Sequence, residues 1–399
     1  MGSVRPVRTP ASARHVWVLT RAYPAPTETF VSNEVESLRE LGHNVTVLVL
    51  DRLDDDPRTR AFSPPVPALR LLLAHVLVAL RHPVRYAQYT ALWWRSGHSP
   101  GGGWRRLPWW AREIERASAD VLHAQFAWTS ALQAWALSIL TGVPWVVTAH
   151  ANDIFATPQM LLEKLWAADA AITVCEYNRR ELVALGVRRP IDIVVCGVLD
   201  APARAEGAPV EWDVCLVGRL VPKKGTDLLV RAVAELAAEG TTIRAVVIGE
   251  GQELPALQEL ARTLGVADSV TFLGGRPHDE VLATMTRATL FCLPCRVAPD
   301  GDRDSMPVVI KEAMVRGIPV VATDAVAVPE MVSDQTGWLV PPEDVTALAH
   351  ALRDALADPD ARRARGAAGR ARVHADLLVG AQTERLLAIY ERVIRESSR

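Results

Sequence analysis

Residues 213–239 read DVCLVGRLVPKKGTDLLVRAVAELAAE, a short apolar run followed by a basic loop and an amphipathic segment. The run Asp213–Val217 predicts a buried strand, and the spacing of the apolar residues over Asp227–Glu239 predicts a helix. A strand that turns through glycine into a helix is the repeating unit of parallel α/β proteins. The stretch therefore predicts a parallel α/β fold for the sequence around it.

The same alternation of strand and helix patterns extends to both sides of a break at residues 200–211. There the sequence DAPARAEGAPVE loses all periodicity, which predicts a linker between two Rossmann-like domains. Because open parallel sheets bind ligands beyond the carboxyl ends of their strands, we expect both domains to face an interdomain cleft. The expected divisions are a first domain over 1–201 with an insert at about 52–118, a linker over 202–211, a second domain over 212–380, and a closing helix over 381–399 that could pack back on the first domain.

Composition narrows the class of protein. The 399 residues suit two domains, and a formal net charge of −2 gives no global basic field for nucleic acid. Five scattered cysteines are typical of reduced thiols in the cytoplasm. The longest apolar run, Val66–Leu80, is interrupted by Arg70 and is shorter than the ~18 residues that a membrane span needs. The sequence therefore predicts a cytoplasmic protein.

The loop after strand 213–217 carries the first functional signal. Gly218 allows a tight turn, and Arg219 and Lys224 lie where a phosphate would meet the start of a helix. An arginine fork and a lysine point charge suit a diphosphate without a metal ion. The alternative is a solvated basic loop, but its place at the end of the domain's first strand favours binding.

A second signal lies in residues 304–323, DSMPVVIKEAMVRGIPVVAT. Ser305 is expected to cap a helix, and Pro307 is expected in its first turn, where a missing N–H costs nothing. Backbone N–H groups at such a helix start point outward and attract anions. The residues expected at this anion site are Met306, Pro307, Val308 and Val309.

Two acids flank this helix start. Glu312 lies just over one turn inside the helix, where its carboxylate could accept hydrogen bonds from a ribose diol. Asp304 precedes the helix and could bind hydroxyl groups of a sugar beyond the phosphates. Alternatively, Glu312 is an ordinary acid on a helix surface and Asp304 an ordinary acid in a loop. The spacing of the two residues about the helix start disfavours both alternatives.

The first half of the chain contributes two candidate loops. The segment TAHANDIF places His150 directly after the predicted strand Pro144–Thr148 and carries Asp153, both candidates to contact substrate. A lone histidine in such a place is as often a packing residue as a catalytic one. The segment YPAPTETF, residues 23–30, is a turn-rich loop in which Thr27 is expected to cap a helix and Glu28 to approach substrate.

Metal sites are not predicted. Residues 300–304, DGDRD, imitate a calcium loop, but Ser305 occupies the glycine position and Lys311 the position of the bidentate acid. The acidic run Asp54–Asp56 has no second set of ligands and reads as a solvated loop.

Taken together, these motifs resemble family 4 of the retaining glycosyltransferases, which have the two-Rossmann-domain GT-B fold. The similarity runs from about His15 to Leu352 and is densest between Gly218 and Gly337. In that family, two acids with seven residues between them bracket the donor sugar and the nucleotide ribose. Asp304 and Glu312 match them here, although the first is usually glutamate.

The resemblance extends to other donor-site motifs. Arg219 and Lys224 match the family's diphosphate-binding pair, and Arg276 ends a segment, FLGGR, that matches a loop near the base. The segment TDAVAVPE, residues 323–330, matches a loop that usually carries a glycine pair, where this chain has Ala325 and Ala327.

The N-terminal motifs look like those of bacterial exopolysaccharide and colanic-acid-type members. They are HAQFA at 123–127, TAHANDIF at 148–155 and ETF at 28–30, and His150 falls at the family's active-site histidine. The resemblance implies a hexosyltransferase that retains anomeric configuration and requires neither a metal nor another cofactor. It implies a UDP- or GDP-linked sugar donor and a glycan, lipid-linked or small-molecule acceptor in cell-surface polysaccharide assembly.

The sequence leaves the identity of the acceptor and three alternative functions open. The insert combines the apolar run Leu69–Leu80 with arginines and tryptophans, which fits either a peripheral contact at the inner face of the cell membrane or an ordinary buried helix. A soluble natural-product glycosyltransferase acting on an aminocyclitol would share the donor site. A non-catalytic nucleotide-sugar-binding subunit is a third reading, and an oxidoreductase is disfavoured because no G-x-G-x-x-G follows either first strand. Sequence leaves the base, the hexose and the oligomeric state open.

Overall fold

The chain forms two compact units in the computed structural model. Each unit is built around its own parallel sheet, as the alternating pattern predicts. The model describes residues 13–97, 103–205 and 207–399; the first unit holds the described residues up to Thr173, Glu181–Val194 and Thr383–Arg399, and the second holds Val174–Arg180 and Val195–Gln382.

The sheet of the first unit has seven parallel strands among the described residues. In chain order they are β1 (His15–Tyr23), β2 (Asn44–Arg52), β3 (Thr59–Ala61), β4 (Val121–Gln125), β5 (Trp145–Ala149), β6 (Ala170–Thr173) and β7 (Ile191–Ile193). Across the sheet the order is β3-β2-β1-β4-β5-β6-β7, so β1 and β4 lie at its centre. The carboxyl ends of β4 and β5 are therefore adjacent.

The core of this unit lies on both faces of the sheet. Trp17 and Leu19 of β1 pack into one apolar cluster, and Val16 and Val18 pack into the other. Since successive side chains of a strand point to opposite faces, a strand covered on both faces reads as a continuous apolar run. The helices of this segment are α1 (Thr29–Glu40), α2 (Ala68–Arg81), α3 (Pro83–Ser96), α4 (Leu107–Arg116), α5 (Thr129–Thr141) and α6 (Leu161–Ala167).

The second unit repeats the plan with six parallel strands among its described residues. They are β8 (Trp212–Val217), β9 (Ala245–Ile248), β10 (Val270–Gly274), β11 (Ala288–Leu293), β12 (Val320–Thr323) and β13 (Gly337–Val340), in the order β10-β9-β8-β11-β12-β13. The remaining helices are α7 (Glu176–Ala184), α8 (Thr226–Ala238), α9 (Leu254–Thr263), α10 (His278–Thr286), α11 (Val308–Val315), α12 (Val345–Ala357), α13 (Pro359–Asp376) and α14 (Val379–Ser397).

The closing helix α14 contributes to the core of the first unit from Thr383 onwards. Leu386, Ile389 and Val393 join the apolar cluster that contains Val16 and Val18. The hydroxyl of Tyr390, on the same face, lies 2.7 Å from Nδ1 of His123 in β4. This face is apolar because it is covered by the sheet.

In the part of the chain that the structure describes, no helix has the length and apolar character required to span a bilayer.

Candidate functional site

The basic loop after β8 is shaped by two glycines. A Cβ atom on Gly218 would lie 3.2 Å from the side chain of Lys224, so glycine leaves room for the lysine to pass. Gly225 has a φ of 62°, and a Cβ there would lie 2.0 Å from the carbonyl oxygen of Pro294. Only glycine fits this left-handed position at the start of α8. The loop conformation therefore fixes where Lys224 lies.

Lys223 and Lys224 both extend into a largely buried cluster with Asp304. The Nζ atom of Lys223 lies 3.2 Å from one oxygen of Asp304 and 3.0 Å from Asp302. Lys224 forms an ion pair with the other oxygen of Asp304. Burial alone would raise the pKa of Asp304, but the two ammonium groups outweigh it and lower the pKa to about 2. The Asp304 carboxylate is therefore ionised at neutral pH.

The arginines of the predicted site lie nearer to solvent. Arg219, at the start of the basic loop, is exposed. Arg276, in the loop after β10, is exposed as well. An exposed guanidinium could approach a bound anion, and the roles of Arg219 and Arg276 in donor binding stay predictions.

Helix α11 starts two residues later than a serine cap would require. Its first residue is Val308, and Pro307 is the N-cap, with no capping hydrogen bond from a side chain. The predicted cap was wrong because the Ser305 hydroxyl donates instead to Oδ1 of Asn178, at 2.5 Å. Pro307, predicted inside the first turn, precedes it. The Val308 and Val309 side chains are half-buried and Met306 is buried. The N–H groups of Val308 and Val309 come too early in the helix to have an i−4 carbonyl partner within it.

Glu312 lies one turn into α11 and is largely buried. Its carboxylate is 3.6 Å from Nε2 of His278, the first residue of α10. Burial raises the pKa of Glu312, and the nearby charges of His278, Arg316 and Lys311 oppose that rise. His278 has no signal in the sequence, because it belongs to a different strand–helix unit.

The loop that lacks the family's glycine pair keeps an unusual backbone conformation. Val326 has a φ of 56°, between Ala325 and Ala327. Left-handed conformations are rare for β-branched residues. At the end of the loop, the Glu330 carboxylate accepts hydrogen bonds from the backbone N–H groups of Glu176 (2.9 Å) and Tyr177 (2.7 Å) at the start of α7. The acid thereby caps a helix far away in sequence.

In the first unit, His150 follows β5 directly. It is buried, its ring contacts Phe30 and Phe126 at centroid distances of 5.1 and 4.4 Å, and its Nε2 lies 3.1 Å from Oε1 of Gln125. Burial lowers the pKa of His150 to about 3. A neutral imidazole is therefore the form present at neutral pH.

Asp153 holds the loop that carries His150. Its Oδ2 accepts hydrogen bonds from the backbone N–H groups of His150 (2.8 Å) and Ala127 (2.9 Å). Burial raises its pKa to about 7, while those two bonds and Lys164 oppose the rise. The geometry gives this acid a clear role in ordering two strand-end loops, and its contact with substrate stays a prediction.

The loop before α1 differs from the expected capping arrangement. Glu28, not Thr27, is the N-cap of α1, and the Glu28 side chain forms no capping hydrogen bond. Thr27 is exposed, and Glu28 is half-buried and close enough to Asp153 to raise its pKa. Glu28, Asp153 and His150 therefore belong to one region of the first unit.

Two family models match the chain. The model described as Glycosyltransferase Family 4 matches residues 27–200, and the model described as Glycosyl transferases group 1 matches residues 204–372. The chain belongs to the family 4 glycosyltransferases. The two parallel sheets of this glycosyltransferase confirm the expected GT-B architecture of Rossmann-like domains.

Individual relatives agree with that assignment. The glycosyltransferase is 42% identical over 159 residues to a GDP-mannose-dependent alpha-(1-6)-phosphatidylinositol monomannoside mannosyltransferase of Mycolicibacterium smegmatis, a match over 39% of this chain and 41% of the relative. It is 27% identical over 375 residues to the putative colanic acid biosynthesis glycosyltransferase WcaL of Escherichia coli, over 83% of this chain and 87% of the relative. Sucrose-phosphate synthase of Thermosynechococcus elongatus shares its fold, with a TM-score of 0.71 at 20% identity over 96% of this chain and 100% of that one.

Proposed function

We propose that this glycosyltransferase transfers a hexose from a nucleotide sugar to a hydroxyl group of a glycan or lipid-linked acceptor in cell-surface polysaccharide assembly, with retention of anomeric configuration and without a metal ion. The observation that carries the proposal is the buried cluster of Lys223, Lys224 and Asp304 beside the start of α11. It combines positive charge and outward N–H groups within one unit. Both features suit a diphosphate leaving group.

Lys224 is the central group for the leaving diphosphate. Its ammonium is buried, which by itself would lower its pKa, yet the neighbouring Asp304 carboxylate raises the pKa above the usual value. A cation that stays charged in a site with little water stabilises developing negative charge strongly. The lysine pair would thereby supply the charge that a metal ion supplies in other transferases.

The nucleotide ribose is assigned to Glu312. Its carboxylate is largely buried and lies one turn from the helix start, where it could accept hydrogen bonds from the ribose diol of a nucleotide whose diphosphate binds at that start. We propose that Asp304 binds hydroxyl groups of the donor sugar while it stays paired with the two lysines. This is possible because one oxygen of a carboxylate can accept more than one hydrogen bond. Whether the donor carries UDP or GDP is tested by thermal shift with nucleotide sugars of both classes.

The acceptor is proposed to be presented at an anionic membrane surface. Five apolar side chains at helical spacing on α2 are 45% to 75% exposed, although other residues of the helix are buried. These five residues, which we call the α2 apolar face, are Leu69, Leu72, Leu73, Val76 and Leu80.

Charge around the α2 apolar face favours the same partner. Residues 57–112 contain nine arginines and no aspartate or glutamate, in a chain whose net charge is −2. Arg70 and Arg81 of α2 are exposed. An apolar helix face flanked by arginines binds the headgroup region of anionic bilayers. The proposed location is therefore the cytoplasmic face of the membrane.

The donor proposal is tested by thermal shift of the full chain against UDP- and GDP-linked hexoses, GDP-mannose included, followed by transfer assays with and without a chelator. We expect stabilisation by one donor class, a product with the donor's anomeric configuration, and activity that survives chelation. An inverted product would overturn retention, and activity restored only by a divalent metal would overturn metal independence. Donor binding without transfer to any acceptor would favour the non-catalytic subunit.

The membrane proposal is tested by co-sedimentation with phosphatidylglycerol-containing vesicles. We expect the wild type to pellet and the double variant Leu72→Ser, Leu80→Ser to remain in solution. The matched control replaces two exposed leucines elsewhere, Leu185→Ser and Leu199→Ser, and should pellet like the wild type. A wild type that fails to pellet would favour a soluble enzyme acting on an aminocyclitol or another small acceptor.

A further inference from the structure

Arg296 binds the turn that carries Lys224. It comes after β11, which lies beside β8 in the sheet, so the segment after β11 reaches the loop after β8. The backbone N–H of Arg296 donates to the carbonyl of Lys223 at 3.0 Å, and its Nε donates to the carbonyl of Pro222 at 2.8 Å. Because Pro222–Lys224 form a single 3₁₀ turn, one residue holds two consecutive carbonyls of that turn.

The guanidinium of Arg296 also binds the helix that follows the turn. Its Nη2 donates to Oδ1 of Asp227, the second residue of α8, at 2.7 Å, and its Nη1 donates to Oε2 of Glu343 at 3.1 Å. Lys224 lies between Pro222 and Asp227 in the chain, so Arg296 has contacts on both sides of the lysine. Since a guanidinium is a rigid plane, hydrogen bonds from its separate nitrogens fix these acceptors relative to one another.

Arg296 is itself held in place. The hydroxyl of Thr323, the last residue of β12, donates to the carbonyl of Cys295, so the residue before Arg296 is tied to the neighbouring strand. The Arg296 side chain is only 16% exposed, so water competes little for its hydrogen bonds. Burial alone would lower the pKa of Arg296, but the carboxylates of Asp227 and Glu343 outweigh it and raise the pKa. Arg296 therefore stays charged and paired at neutral pH.

The hydrogen bonds of Arg296 give it a different task from that of Lys224. Each of the three guanidinium nitrogens of Arg296 donates to a protein oxygen. The Lys224 ammonium stands on a flexible stem of four carbons, so its place depends on where the backbone of the turn lies. A displacement of about 1 Å at a group that acts in a reaction can cost about 10²-fold in rate.

We propose that Arg296 is a positioning residue that fixes the Pro222–Lys224 turn and thereby holds the Lys224 ammonium at Asp304, in the proposed diphosphate site. Gly225 permits the shape of the turn, and Arg296 determines where the turn lies. The effect on donor binding rests on the proposed function, whereas the place of Lys224 in the free protein does not.

The place of Lys224 is measured without a ligand by the rate at which acetic anhydride acylates it in the full chain, read for each lysine by mass spectrometry. We expect Arg296→Gln to raise the rate at Lys224 by about fivefold or more and to leave Lys311 within about twofold, because a local opening exposes only the groups that it frees. Lys311 is fully buried in the same unit. Arg353→Gln is the matched control and should change neither rate, since Arg353 pairs with Glu239 at the other end of α8.

Two results of the acylation experiment would overturn the proposal. One is an unchanged rate at Lys224 in a folded Arg296→Gln. The other is an equal increase at Lys224 and Lys311, which would mean that Arg296 supports the whole unit and not the turn. Circular dichroism checks the fold; if Arg296→Gln fails to fold, Asp227→Ala, which removes the anchor on α8, takes its place.

Affinity for UDP and GDP tests whether Arg296 acts through Lys224. In titration calorimetry, we expect Arg296→Gln to weaken binding by about tenfold in the wild type and by less than about twofold in Lys224→Ala. Arg296→Lys keeps the charge but loses the fork, so it should bind as weakly as Arg296→Gln. The same factor in both backgrounds, or wild-type affinity in Arg296→Lys, would overturn the positioning role.

Failure of this inference differs from failure of the proposed function. A wild type that binds neither UDP nor GDP would contradict the proposed function, and the acylation rates would then decide the role of Arg296 by themselves. A wild type that binds one of them, with unchanged affinity in a folded Arg296→Gln, would overturn the positioning role and leave the proposed function standing.

Discussion

Lys223 and Lys224 share one carboxylate, that of Asp304, with the Lys223 Nζ atom 3.2 Å from one oxygen and Lys224 paired with the other. Both lysines of the proposed donor site are thus already paired with a carboxylate. A diphosphate bound at the proposed site would compete with Asp304 for Lys224. We therefore expect the same aspartate to affect both the stability of the folded chain and the strength of donor binding.

Removal of the Lys224 ammonium should abolish transfer. In Lys224→Ala, the leaving diphosphate loses a buried cation, and the loss of one such group typically lowers kcat by about 10²–10³-fold. Lys223 remains to pair with Asp304, so we expect the chain to stay folded. Initial rates with the donor found by thermal shift measure the loss of transfer. Circular dichroism measures whether the fold is kept. Arg231→Ala, at an exposed site on α8, is the control, and wild-type turnover in Lys224→Ala would contradict the site assignment.

Glu312→Ala should abolish transfer because it weakens donor binding. The ribose contact is lost, and because burial already raises the pKa of Glu312, removing its charge should cost the fold little. A hydrogen bond to a charged group is worth about 1.5–3 kcal/mol, which is roughly a tenfold to hundredfold change in affinity. Titration calorimetry with the free nucleoside diphosphate measures the loss. Unchanged affinity in a folded variant would move the ribose site away from α11.

Asp304 should make the protein sensitive to acid. Its pKa is about 2 in the fold against an ordinary 3.8, so the carboxylate stabilises the folded state at neutral pH, and this contribution disappears as pH falls from about 4 to about 2. The shift corresponds to about 2 kcal/mol. Urea denaturation at pH 4 and at pH 2 should show a smaller loss of unfolding free energy in Asp304→Asn than in the wild type. Equal losses in the two proteins would show that the lysine pair does not perturb this carboxyl group.

Tyr390→Phe should destabilise the first unit. Burial lowers the pKa of His123 to about 3, so its neutral ring forms hydrogen bonds with the Tyr390 hydroxyl at Nδ1 and with Thr148 at Nε2. Removal of the Tyr390 hydroxyl leaves a buried ring nitrogen without this partner, at a cost of about 1–3 kcal/mol. Thermal unfolding of the wild type and of Tyr390→Phe measures this loss of stability. Tyr86→Phe removes a hydroxyl that bonds to His75 in a partly exposed place and should have a smaller effect; equal effects would contradict the argument.

Val326→Gly should stabilise the second unit. A β-branched residue at φ 56° carries strain of about 1–2 kcal/mol that glycine avoids. The greater freedom of glycine in the unfolded chain offsets part of this gain, so we expect a net increase in unfolding free energy of about 0.5–1 kcal/mol. Val320→Gly, at the buried first position of β12, is the contrasting variant and should destabilise. A less stable Val326→Gly would mean that the side-chain contacts of Val326 outweigh the strain.

Much of the fold follows from local patterns in the chain. The run Asp213–Val217 and the helix after it are found where the apolar spacing predicts them, because a strand buried on both faces and a one-sided helix leave distinct periods. Lys224 and Glu312 are recognisable from their places beside a strand end and a helix start. Their roles in the reaction stay predictions.

The features that sequence missed depend on partners far away along the chain. Ser305 resembles a cap until Asn178, more than a hundred residues earlier, takes its hydroxyl. Nothing local distinguishes Lys223 from a solvated lysine, yet it is buried against Asp302 and Asp304. Gln125 reads as part of a strand, and only the neighbouring strand brings it to His150. Spacing shows which side chains share an element, but tertiary packing decides which of them meet.

The contribution of α14 to the first unit has a consequence for biosynthesis. Leu386, Ile389, Tyr390 and Val393 complete an apolar cluster whose other members include Val16, Val18 and Val31. On the ribosome, the first unit's sheet emerges long before these residues are made, and the whole second unit is translated in between. The domain that is synthesised first is therefore finished last, and until then its nascent form presents an uncovered apolar surface that a chaperone could bind.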